Sequence, residues 1–371
     1  MRDDLEKRYF VEAAAKALDV LESFDTFEEE LTVLEVARRA RVSYSSAFRL
    51  LYTLEKRGFV TRHPGAKKFS RTPVRKRFRI GYAALDNSMK FCAQVSHSIA
   101  VAARTRDVAL IVRDNEMNAP KTLANVDALM EEGIHLLIEY QTNEAVAHLI
   151  ATKCHEAHVP VIAVNFSIPG SYYFGGNNYL AGMLAGKFLS GCANGGPKRA
   201  VNKMLILPAS GMGSTQEARV AGVRNAFLQN LPHLSEHDIR TAPPGLTRHD
   251  GYRATKELLR SIRSPFKKIL IAAMTDPLGI GASRAIADLG ITNKTCIVGQ
   301  GGGEDALRYL RKARSFMATV TYFPGTYGER VIPLALKILA GEKVPLTCWT
   351  DHVVLTATNL HEYFPTRPTR V

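Results

Sequence analysis

Two patterns of apolar and polar residues divide the chain near residue 79. Before that point, apolar residues recur at steps of three and four, which is the period of an amphipathic helix. Beyond it, short apolar runs of strand length alternate with amphipathic stretches of helix length. Repeated strand–helix units are typical of parallel, doubly wound sheets, and these strands are too many for one small sheet. The pattern therefore predicts a small helical N-terminal domain and an α/β domain of two consecutive lobes.

The predicted elements of the α/β part follow directly from this alternation. The strands are predicted at residues 79–84, 108–113, 135–140, 160–165, 203–209, 267–274, 296–300, 315–322 and 352–358. Helix patterns separate most of them, at residues 121–132, 143–156, 216–228, 251–260 and 277–289.

The N-terminal part predicts three helices and a hairpin. The helical patterns cover residues 10–24, 33–40 and 44–57. The residues expected to face inward are Val11, Ala14, Ala15, Leu18 and Leu21 in the first helix and Leu34 and Ala37 in the second. Ser43 is a suitable N-cap for the third helix, and Gly58 is a residue that commonly ends one. Two short strands flank a turn at residues 63–66, so the whole segment predicts a winged helix-turn-helix.

The positive charge of the chain is concentrated in this module. The chain has 49 Lys and Arg against 35 Asp and Glu, a formal net charge of +14. Residues 38–79 contain fourteen Lys or Arg and one acidic residue, Glu55, so the remainder is close to neutral. A basic block on a foldable module favours binding to a polyanion such as DNA. The alternatives are a solvated charged face or a segment that touches acidic lipid.

The segment "TVLEVARRARVSYSSAFRLLYTLEKRGFVTRHPGAKKFSRTP" resembles the DNA-binding domain of the IclR family of bacterial regulators. The resemblance covers roughly residues 8–73, where the helix-turn-helix, the "LLYTLEKRGFV" helix end and the wing match in order. The shorter piece "VARRARVSYSSAFRLL" also resembles the helix-turn-helix of the LacI family, which lacks the wing. The resemblance implies double-stranded operator DNA as a partner.

The expected DNA contacts lie at the start of the third helix and on the wing. The candidates are Ser43, Tyr44, Ser45, Ser46 and Arg49 in the helix, and Arg62, Lys67 and Lys68 on the wing. The N-terminal turn of a recognition helix enters the major groove, where Arg49 is the best candidate to read a guanine. A phosphate contact is the alternative for Arg49, and a structural role is the alternative for Tyr44. The wing residues are expected to hold phosphates or the minor groove.

The remainder of the chain resembles the ligand-binding domain shared by periplasmic ribose-type binding proteins and LacI-family repressors. The resemblance covers roughly residues 79–365, and "VPVIAVN" and "ARVAGVRNAF" are its most specific parts. It implies a type I periplasmic-binding-protein-like fold, in which the chain crosses between lobes three times. We therefore expect the winged helix at 1–72, a basic linker at 73–78 and the sensor domain at 79–371. Lobe 1 is expected at about 79–176 and 323–350, and lobe 2 at about 177–322 and 351–371.

In such sheets a ligand lies beyond the carboxyl ends of the strands. The candidate ligand-binding residues are Asp86, Phe91, Asn165, Phe166, Arg219, Thr275 and Tyr322. Arg219 stands where the family has its ligand-binding arginine, and a guanidinium can donate to hydroxyls, a carboxylate or a phosphate. Phe91 and Phe166 offer apolar faces to a sugar ring. The other side chains offer the few polar groups that such a pocket needs.

This pocket departs from the ribose-type pattern. Asn165 and Phe166 stand where an acid–arginine pair follows "VPVI". Thr275 and Tyr322 replace a typical asparagine and glutamine, and the run CIVGQGGG lacks the acid expected after its strand. The pocket thus has fewer charged groups and more aromatic rings. A sugar derivative, a sugar acid or a less polar molecule becomes an alternative to a simple pentose or hexose.

Motifs for catalysis are weak. The glycine turns at 211–213 and 301–303 complete neither phosphate-loop pattern, so we interpret them as pocket-lining turns. Residues 288–292 mimic the DxGxT loop of sugar kinases, but they end a predicted helix. Cys154, His155 and His158 are predicted on one helix, with Cys154 and His158 on one face, but they have no convincing fourth zinc ligand. We expect no metal, no cofactor and no enzyme activity.

The five cysteines are scattered and odd in number, which favours reduced thiols in a cytosolic protein. No apolar run reaches membrane-spanning length, and the acidic N-terminus does not resemble a secretory signal. Together the patterns predict a cytoplasmic, homodimeric, ligand-responsive transcription regulator, a repressor that senses a sugar or sugar-like molecule. The alternatives are an enzyme (sugar kinase-like or other) with a regulatory DNA-binding head, and a cytosolic solute-binding protein.

Overall fold

A computed structural model describes residues 10–63, 65–72, 78–193, 201–262, 268–312 and 316–364. The chain divides into two compact units, Met1–Lys76 and Arg77–Val371. The basic linker expected at 73–78 lies outside the described residues, except for Phe78.

The first unit has three helices and a three-stranded sheet among its described residues. They are α1 (Glu12–Glu22), β1 (Glu30–Thr32), α2 (Val33–Arg39), α3 (Tyr44–Lys56), β2 (Val60–His63) and β3 (Lys68–Arg71). β3 pairs antiparallel with both β1 and β2. Thr32 and Glu35 form a capping box on α2, and Gly58 follows α3 with a φ of +78°. This is the predicted winged helix-turn-helix, with β1 as a strand that the pattern missed.

The first unit buries only some of the apolar residues that periodicity predicts: Ala37 is buried and Leu21 packs against the core. Val11, Leu18 and Leu34 are at least half exposed. Val20 and Val36 are fully buried instead, in one cluster with the apolar stripe of α3. The reason is that α1 packs on this small core through its C-terminal end, so its first turns extend beyond the core.

The second unit contains the α/β elements. From residue 79 to 176 they are β4 (Arg79–Ala84), α4 (Lys90–Thr105), β5 (Ala109–Asp114), α5 (Ala119–Glu131), β6 (Leu136–Glu139), α6 (Glu144–Glu156), β7 (Val161–Val164) and β8 (Tyr172–Gly176). From 178 to 321 they are α7 (Asn178–Cys192), β9 (Val201–Leu207), α8 (Gly213–Asn230), β10 (Ile239–Thr241), α9 (Arg248–Ser261), β11 (Lys268–Ala273), α10 (Asp276–Asp288), β12 (Thr295–Gly301), α11 (Glu304–Leu310) and β13 (Phe316–Thr321). The last elements are α12 (Tyr327–Leu339), β14 (Thr347–Thr350), β15 (Val353–Thr356) and α13 (Leu360–Tyr363).

These strands form two six-stranded sheets, one in each lobe. The sheet of lobe 1 has the order β14-β8-β7-β6-β4-β5 and is parallel throughout. The sheet of lobe 2 has the order β10-β9-β11-β12-β13-β15, in which only β15 is antiparallel. The chain therefore passes between the sheets three times, before β9, before β14 and before β15. The two-lobed, doubly wound α/β fold is as predicted.

Alternation along the strands explains why helices cover both faces of each sheet. In β6, Leu136 and Ile138 pack towards α4 and α12, whereas Leu137 packs towards α5 and α6. Strands buried on both faces carry nearly continuous apolar runs, which is why most were visible in the sequence. β8, β10 and β14 were missed because they lack such a run. No helix in the described part of the chain is both long and apolar enough to cross a bilayer.

Candidate DNA-binding surface and ligand cleft

Helix α3, the predicted recognition helix, presents a continuous exposed face. Ser43 caps it, accepting a hydrogen bond from the Ser46 N–H at 3.2 Å. Tyr44, Ser45 and Arg49 are exposed, with Tyr44 at 58%. The opposite stripe is buried and holds the helix on the unit. The first turn of α3 therefore leaves side chains free to contact a partner.

The same face carries two aromatic residues that are not among the predicted DNA contacts. Phe48 and Tyr52 are exposed on α3, at 42% and 52%. The Lys56 ammonium lies 5.4 Å from the Tyr52 ring centroid. The available sequence signal was an aromatic residue close to basic residues on the polar side of this helix, and it could have added Phe48 and Tyr52 to the candidates.

The wing residues differ in how freely their charges are available. Arg62 is exposed on β2, with its guanidinium 5.8 Å from the Phe69 ring centroid. Lys67 is exposed in the turn, with a φ of +50°. Lys68 is half-buried on β3, and its ammonium lies 3.9 Å from the Glu30 carboxylate. Lys67 and Arg62 have no ion pair within the described residues, so their charges are the more accessible ones.

Not every arginine of the basic block is free for a partner. Arg39 donates to the Ser23 carbonyl at 2.9 Å and pairs with Asp25 and Glu29. These contacts fasten α2 to the acidic loop before β1. Arg39 therefore serves the fold of the unit.

In the second unit, the candidate residues lie at the carboxyl edges of the two sheets. Lobe 1 supplies Asp86, Phe91, Asn165 and Phe166, and lobe 2 supplies Arg219, Thr275 and Tyr322. Phe91, Asn165, Arg219 and Tyr322 belong to one connected cluster. Thr275 adjoins it through Met274, whose carbonyl accepts from Arg219, whereas Asp86 and Phe166 lie outside it. We call the space between these two edges the cleft.

Arg219 is held in the cleft by an unusually close crossing of α7 and α8. A Cβ on Gly182 would lie 2.1 Å from the Arg219 carbonyl oxygen, and a Cβ on Gly222 would lie 2.2 Å from that of Tyr179. Only glycine fits at such distances. The second turn of α8 is thereby placed against the sheet, with the Arg219 side chain only 8% exposed.

The buried Arg219 guanidinium is oriented by three contacts. Its Nε donates to Asn178 Oδ1 at 2.8 Å, and one terminal nitrogen donates to the Met274 carbonyl at 3.0 Å. Its carbon lies 4.8 Å from the Tyr322 ring centroid. A guanidinium has five N–H donors, so these two bonds leave three for a ligand.

Tyr322 links Arg219 to lobe 1. Its ring meets Phe91 edge-on at 6.4 Å and His352 at 4.6 Å, and its hydroxyl donates to Gln300 Oε1 at 3.0 Å. Burial raises the pKa of Tyr322 and lowers the pKa of His352. Both rings are therefore neutral near pH 7, and they form an aromatic wall between the lobes.

Asn165 joins the cluster through Tyr327. The Tyr327 hydroxyl donates to Asn165 Oδ1 at 2.9 Å, and the Tyr327 ring lies 6.3 Å from that of Phe91. Asn165 has a φ of +60°, a region that asparagine tolerates better than most residues. The loop after β7 therefore turns this side chain towards α12 instead of along the strand.

Thr275 and Asp276 begin α10 beside the Arg219 site. The Thr275 Oγ1 is buried and has no hydrogen-bond partner among the described residues. Asp276 accepts from Thr319 Oγ1 at 2.6 Å and from the Gly302 N–H at 2.7 Å. Burial raises the pKa of Asp276 to about 6, although these bonds and the Arg219 charge act in the opposite direction. Asp276 thus organises the glycine turn after β12, and Thr275 retains a free hydroxyl.

Asp86 and Phe166 are not part of the cluster. Asp86 accepts from the Ser88 N–H at 2.8 Å and so shapes its own loop. Phe166 is buried in the core of lobe 1, with Val146 and Ile150, although its ring also lies beside Gly213 of lobe 2.

Further buried polar atoms around the cleft escaped the sequence reasoning. Each has no hydrogen-bond partner within the described ranges: Gln94 Oε1, Gln141 Nε2, Gln216 Oε1 and His352 Nε2. Gln94 and Gln216 lie on the first turns of α4 and α8, and Gln141 follows β6. Buried polar groups are nearly always bonded, so these atoms mark places where a polar ligand can bind. The available sequence signal was that these glutamines lie in the loops or first helical turns that follow strands.

The possible zinc motif and the kinase-like motif do not have the geometry that a zinc site or a kinase phosphate loop requires. His158 lies beyond the end of α6 with a φ of +53°, so the expectation that it shares a helix face with Cys154 is wrong. The DxGxT-like run begins at the last residue of α10, and Gly290 follows with a φ of +68°. It is a helix end, as the sequence indicated. The Gly302 N–H donates to Asp276, so the turn at 301–303 is held against the start of α10.

Comparison with known proteins agrees with both units. Residues 13–64 match the model of the IclR helix-turn-helix domain, so the helix-turn-helix is of the IclR type and not the LacI type. Residues 80–343 match the model of the periplasmic binding protein domain. Ribose import binding protein RbsB of Haemophilus influenzae is 28% identical over 251 residues, 67% of this chain and 80% of that protein.

Solved structures show the same fold in the second unit. A solute binding protein of an ABC transporter from Mycobacterium smegmatis, with bound glycerol, has a TM-score of 0.70 and 20% identity, covering 78% of this chain and 98% of that one. A periplasmic solute binding protein from Actinobacillus succinogenes, with bound D-allose, has a TM-score of 0.67 and 19% identity, covering 77% and 100%. The chain therefore belongs to the periplasmic binding protein domain family and carries an IclR helix-turn-helix domain before it.

Proposed function

We propose that the protein is a ligand-responsive transcription regulator, a repressor that senses a sugar or a sugar derivative. One observation carries the proposal. A single chain joins an IclR helix-turn-helix domain to a periplasmic binding protein domain. The first type of domain has an exposed recognition helix, and the second has a cleft with buried, unpartnered polar atoms. When a ligand-binding domain is joined to a DNA-binding domain, ligand binding can change the affinity of the chain for DNA.

In this proposal the exposed turn of α3 enters the major groove of operator DNA. Arg49 reads a base, and Ser43, Tyr44, Ser45 and Ser46 position the helix. The wing residues Arg62, Lys67 and Lys68 bind phosphates, which adds affinity for any sequence. The accessible charges of Arg62 and Lys67 support this assignment.

The ligand is proposed to lie in the cleft between the lobes. Arg219, Thr275 and Asn165 supply polar groups, and Phe91 and Tyr322 supply apolar faces, with Asp86 and Phe166 at the margin. The relative named for ribose import and the neighbour with bound D-allose support a sugar-like ligand. The buried side-chain atoms of Gln94, Gln141 and Gln216 add possible partners for ligand hydroxyls that the family resemblance did not indicate.

The proposed mechanism is a population shift between open and closed lobes. In the structure, Lys90 of lobe 1 donates to Asp305 of lobe 2 at 2.8 Å, and Phe91 meets Tyr322, so the lobes contact each other. A ligand that bonds to both lobes favours this closed arrangement. In a homodimer, closure would change the spacing of two DNA-binding heads and hence operator affinity. The protein would act in the cytoplasm, where its operator lies.

We propose binding without turnover. The matched domain models and the neighbours are of binding proteins, and no cofactor is invoked. The alternative hypothesis is an enzyme with a regulatory DNA-binding domain, and turnover of any bound sugar would support it.

The test combines a melting screen with operator binding. The purified chain is melted against sugars, sugar acids, sugar alcohols and sugar phosphates, and operator fragments are selected from genomic DNA. A ligand at 100 times its Kd should add about 2.7 kcal/mol to the unfolding free energy. The expected result is one chemical class that shifts the melt and also changes operator affinity. A ligand that raises the melting temperature but leaves operator affinity unchanged would contradict the proposal that the protein is a ligand-responsive regulator.

A further inference from the structure

A charged cavity lies between the two lobes, beside the cleft. Its volume is about 490 Å³. Its lining residues are Lys90, Arg248, Asp305, Arg308, Tyr309 and Lys312. Lys90 begins α4 of lobe 1, and the others belong to α9 and α11 of lobe 2 and the residues that follow α11. We call this space the mouth cavity. It adjoins the cleft, because Phe91, next to Lys90, packs against Tyr322.

The mouth cavity holds four cations and one carboxylate. Asp305 accepts from Lys90 at 2.8 Å and from Arg308 at 2.7 Å, and it also pairs with Arg248. Burial acts to raise the pKa of Asp305, but the Lys90 bond and the neighbouring cations outweigh it and lower the pKa. Asp305 is therefore ionised at neutral pH, and its single charge is shared by three cations.

The remaining positive charge has no counterpart in the cavity. Lys312 has no ion pair among the residues that the structure describes. Glu304, the residue before Asp305, is exposed and does not line the cavity. Arg248 also lies over the Tyr309 ring, at 5.5 Å, which fixes its guanidinium beside the cavity. Several cations at close range repel one another, so an anion placed among them is stabilised.

The cations come from both lobes. Lys90 approaches from lobe 1, whereas Arg248 and Arg308 approach from lobe 2. An anion between them would accept hydrogen bonds from both sides and remove repulsion that opposes closure. Its binding is therefore linked to the closed arrangement of the lobes.

We propose that the effector is a sugar phosphate, whose phosphate monoester occupies the mouth cavity while its sugar occupies the cleft. This rests on the proposed function and names the class of its ligand. A phosphate monoester carries nearly two negative charges and three acceptor oxygens, which suits two guanidinium groups and two ammonium groups. A carboxylate brings one charge, which compensates less of the excess.

The test compares matched ligands on matched variants by titration calorimetry at fixed ionic strength. The ligands are D-ribose, D-ribose 5-phosphate, D-allose, D-allose 6-phosphate and inorganic phosphate. The variants are R248Q/R308Q, in the mouth cavity, and R253Q as a control. Arg253 lies on the same helix as Arg248, is exposed and does not line the cavity. All of these side chains are at the surface, so folding should be unaffected, and the unchanged melting temperature is checked first.

We expect at least one ester to bind about tenfold or more tightly than its own sugar. In R248Q/R308Q that advantage should fall to about twofold or less, while the affinity for the neutral sugar stays the same. R253Q should behave like the wild type. Inorganic phosphate alone should bind about tenfold more weakly than the ester, because it lacks the cleft contacts.

The outcomes separate this inference from the proposed function. If neutral sugars bind but no ester binds more tightly, or if the advantage survives in R248Q/R308Q, the sugar-phosphate assignment fails and sugar sensing stands. If inorganic phosphate binds as tightly as the ester, the cavity takes a free anion and the assignment fails. If neither sugars nor esters bind, the assignment and the sugar effector both fail, while operator binding is judged independently.

Discussion

The two candidate binding surfaces of this chain are built in opposite ways. The recognition helix presents neighbouring residues of one segment, and Tyr44 there is 58% exposed. The cleft draws residues from positions far apart in the chain, and Tyr322 there is 2% exposed. On the first surface, side chains are displayed by a helix that its own cap and core stabilise. On the second, the candidate side chains are themselves part of the packing.

The difference predicts how each surface responds to substitution. Changes on the recognition helix should alter binding and leave stability nearly unchanged. Changes in the cleft should alter binding and stability together, because the same atoms serve both. Each of the following experiments tests that contrast.

The largest effect is expected from Arg219→Ala. It should lower ligand affinity about 100-fold or more, and it should also cost about 2 kcal/mol of stability, because Asn178 and Met274 lose a buried donor. Calorimetry and urea unfolding measure the two effects. Arg224→Ala is the control, since Arg224 is on the same helix and pairs with Glu236 at the surface. Normal ligand affinity in Arg219→Ala would remove this residue from the site.

Gly222→Ala should destabilise the second unit by about 2–3 kcal/mol. Its Cβ would lie 2.2 Å from the Tyr179 carbonyl oxygen, so α7 and α8 must move apart. The matched control is Gly191→Ala in α7, where a Cβ meets nothing within 4 Å. There alanine should stabilise by about 0.5–1 kcal/mol. Equal stability of the two variants in urea would contradict the close crossing.

Arg49→Ala should cost about 2 kcal/mol of binding to the operator and much less to random DNA. Lys67→Ala with Lys68→Ala should weaken both about equally and reduce the salt dependence. Fluorescence anisotropy at several salt concentrations measures both. Arg49→Ala should have the melting temperature of the wild type, because Arg49 is exposed. The double variant should lose only the weak contribution of the Lys68–Glu30 pair. An equal loss on both DNAs in Arg49→Ala would reduce Arg49 to a phosphate contact.

The smallest effect is expected from Glu139→Gln, at the end of β6. Burial raises the pKa of Glu139 to about 8, against a hydrogen bond from Asn115. The stability that this protonated carboxyl contributes is largest below the ordinary carboxyl pKa and is lost as the pH rises through about 8. The wild type should therefore lose about 1 kcal/mol more than Glu139→Gln between pH 7 and 9. Glu131→Gln, at an exposed position, should show the same pH dependence of stability as the wild type. An equal loss of stability in all three proteins would contradict a raised pKa for Glu139.

Much of the fold could be predicted because its signals are local. Ser43 caps α3 and Gly58 follows it with positive φ, as their residue types indicated. Most strands of the two sheets were visible as apolar runs, since both of their faces are buried. β10 and β14 were missed because neither is a continuous apolar run, since Arg240 interrupts β10 and threonines begin and end β14, whereas β15 carries Val353, Val354 and Leu355 in succession. Their pairing depends on neighbours that are distant in sequence.

The candidate site could be predicted only in part. Resemblance pointed to Arg219, but its hydrogen-bond partners are 41 and 55 positions away. Phe166 was expected to face a ligand, yet it also fills the core of lobe 1. A one-residue turn at the end of a strand decides which face a side chain meets. Such turns depend on packing, and no period in the sequence shows them.

Sequence patterns alone predicted the two units, helix α3, the basic character of the first unit and the succession of most strands along the chain. These features follow from hydrophobic period, capping residues and charge, all of which act between residues close along the chain. Three features became visible in the folded protein alone: which buried polar atoms lack partners, how α7 and α8 place Arg219, and that Lys90 of one lobe meets Asp305 of the other. These are contacts between distant segments, and they exist only once both sheets have formed and brought their carboxyl edges together.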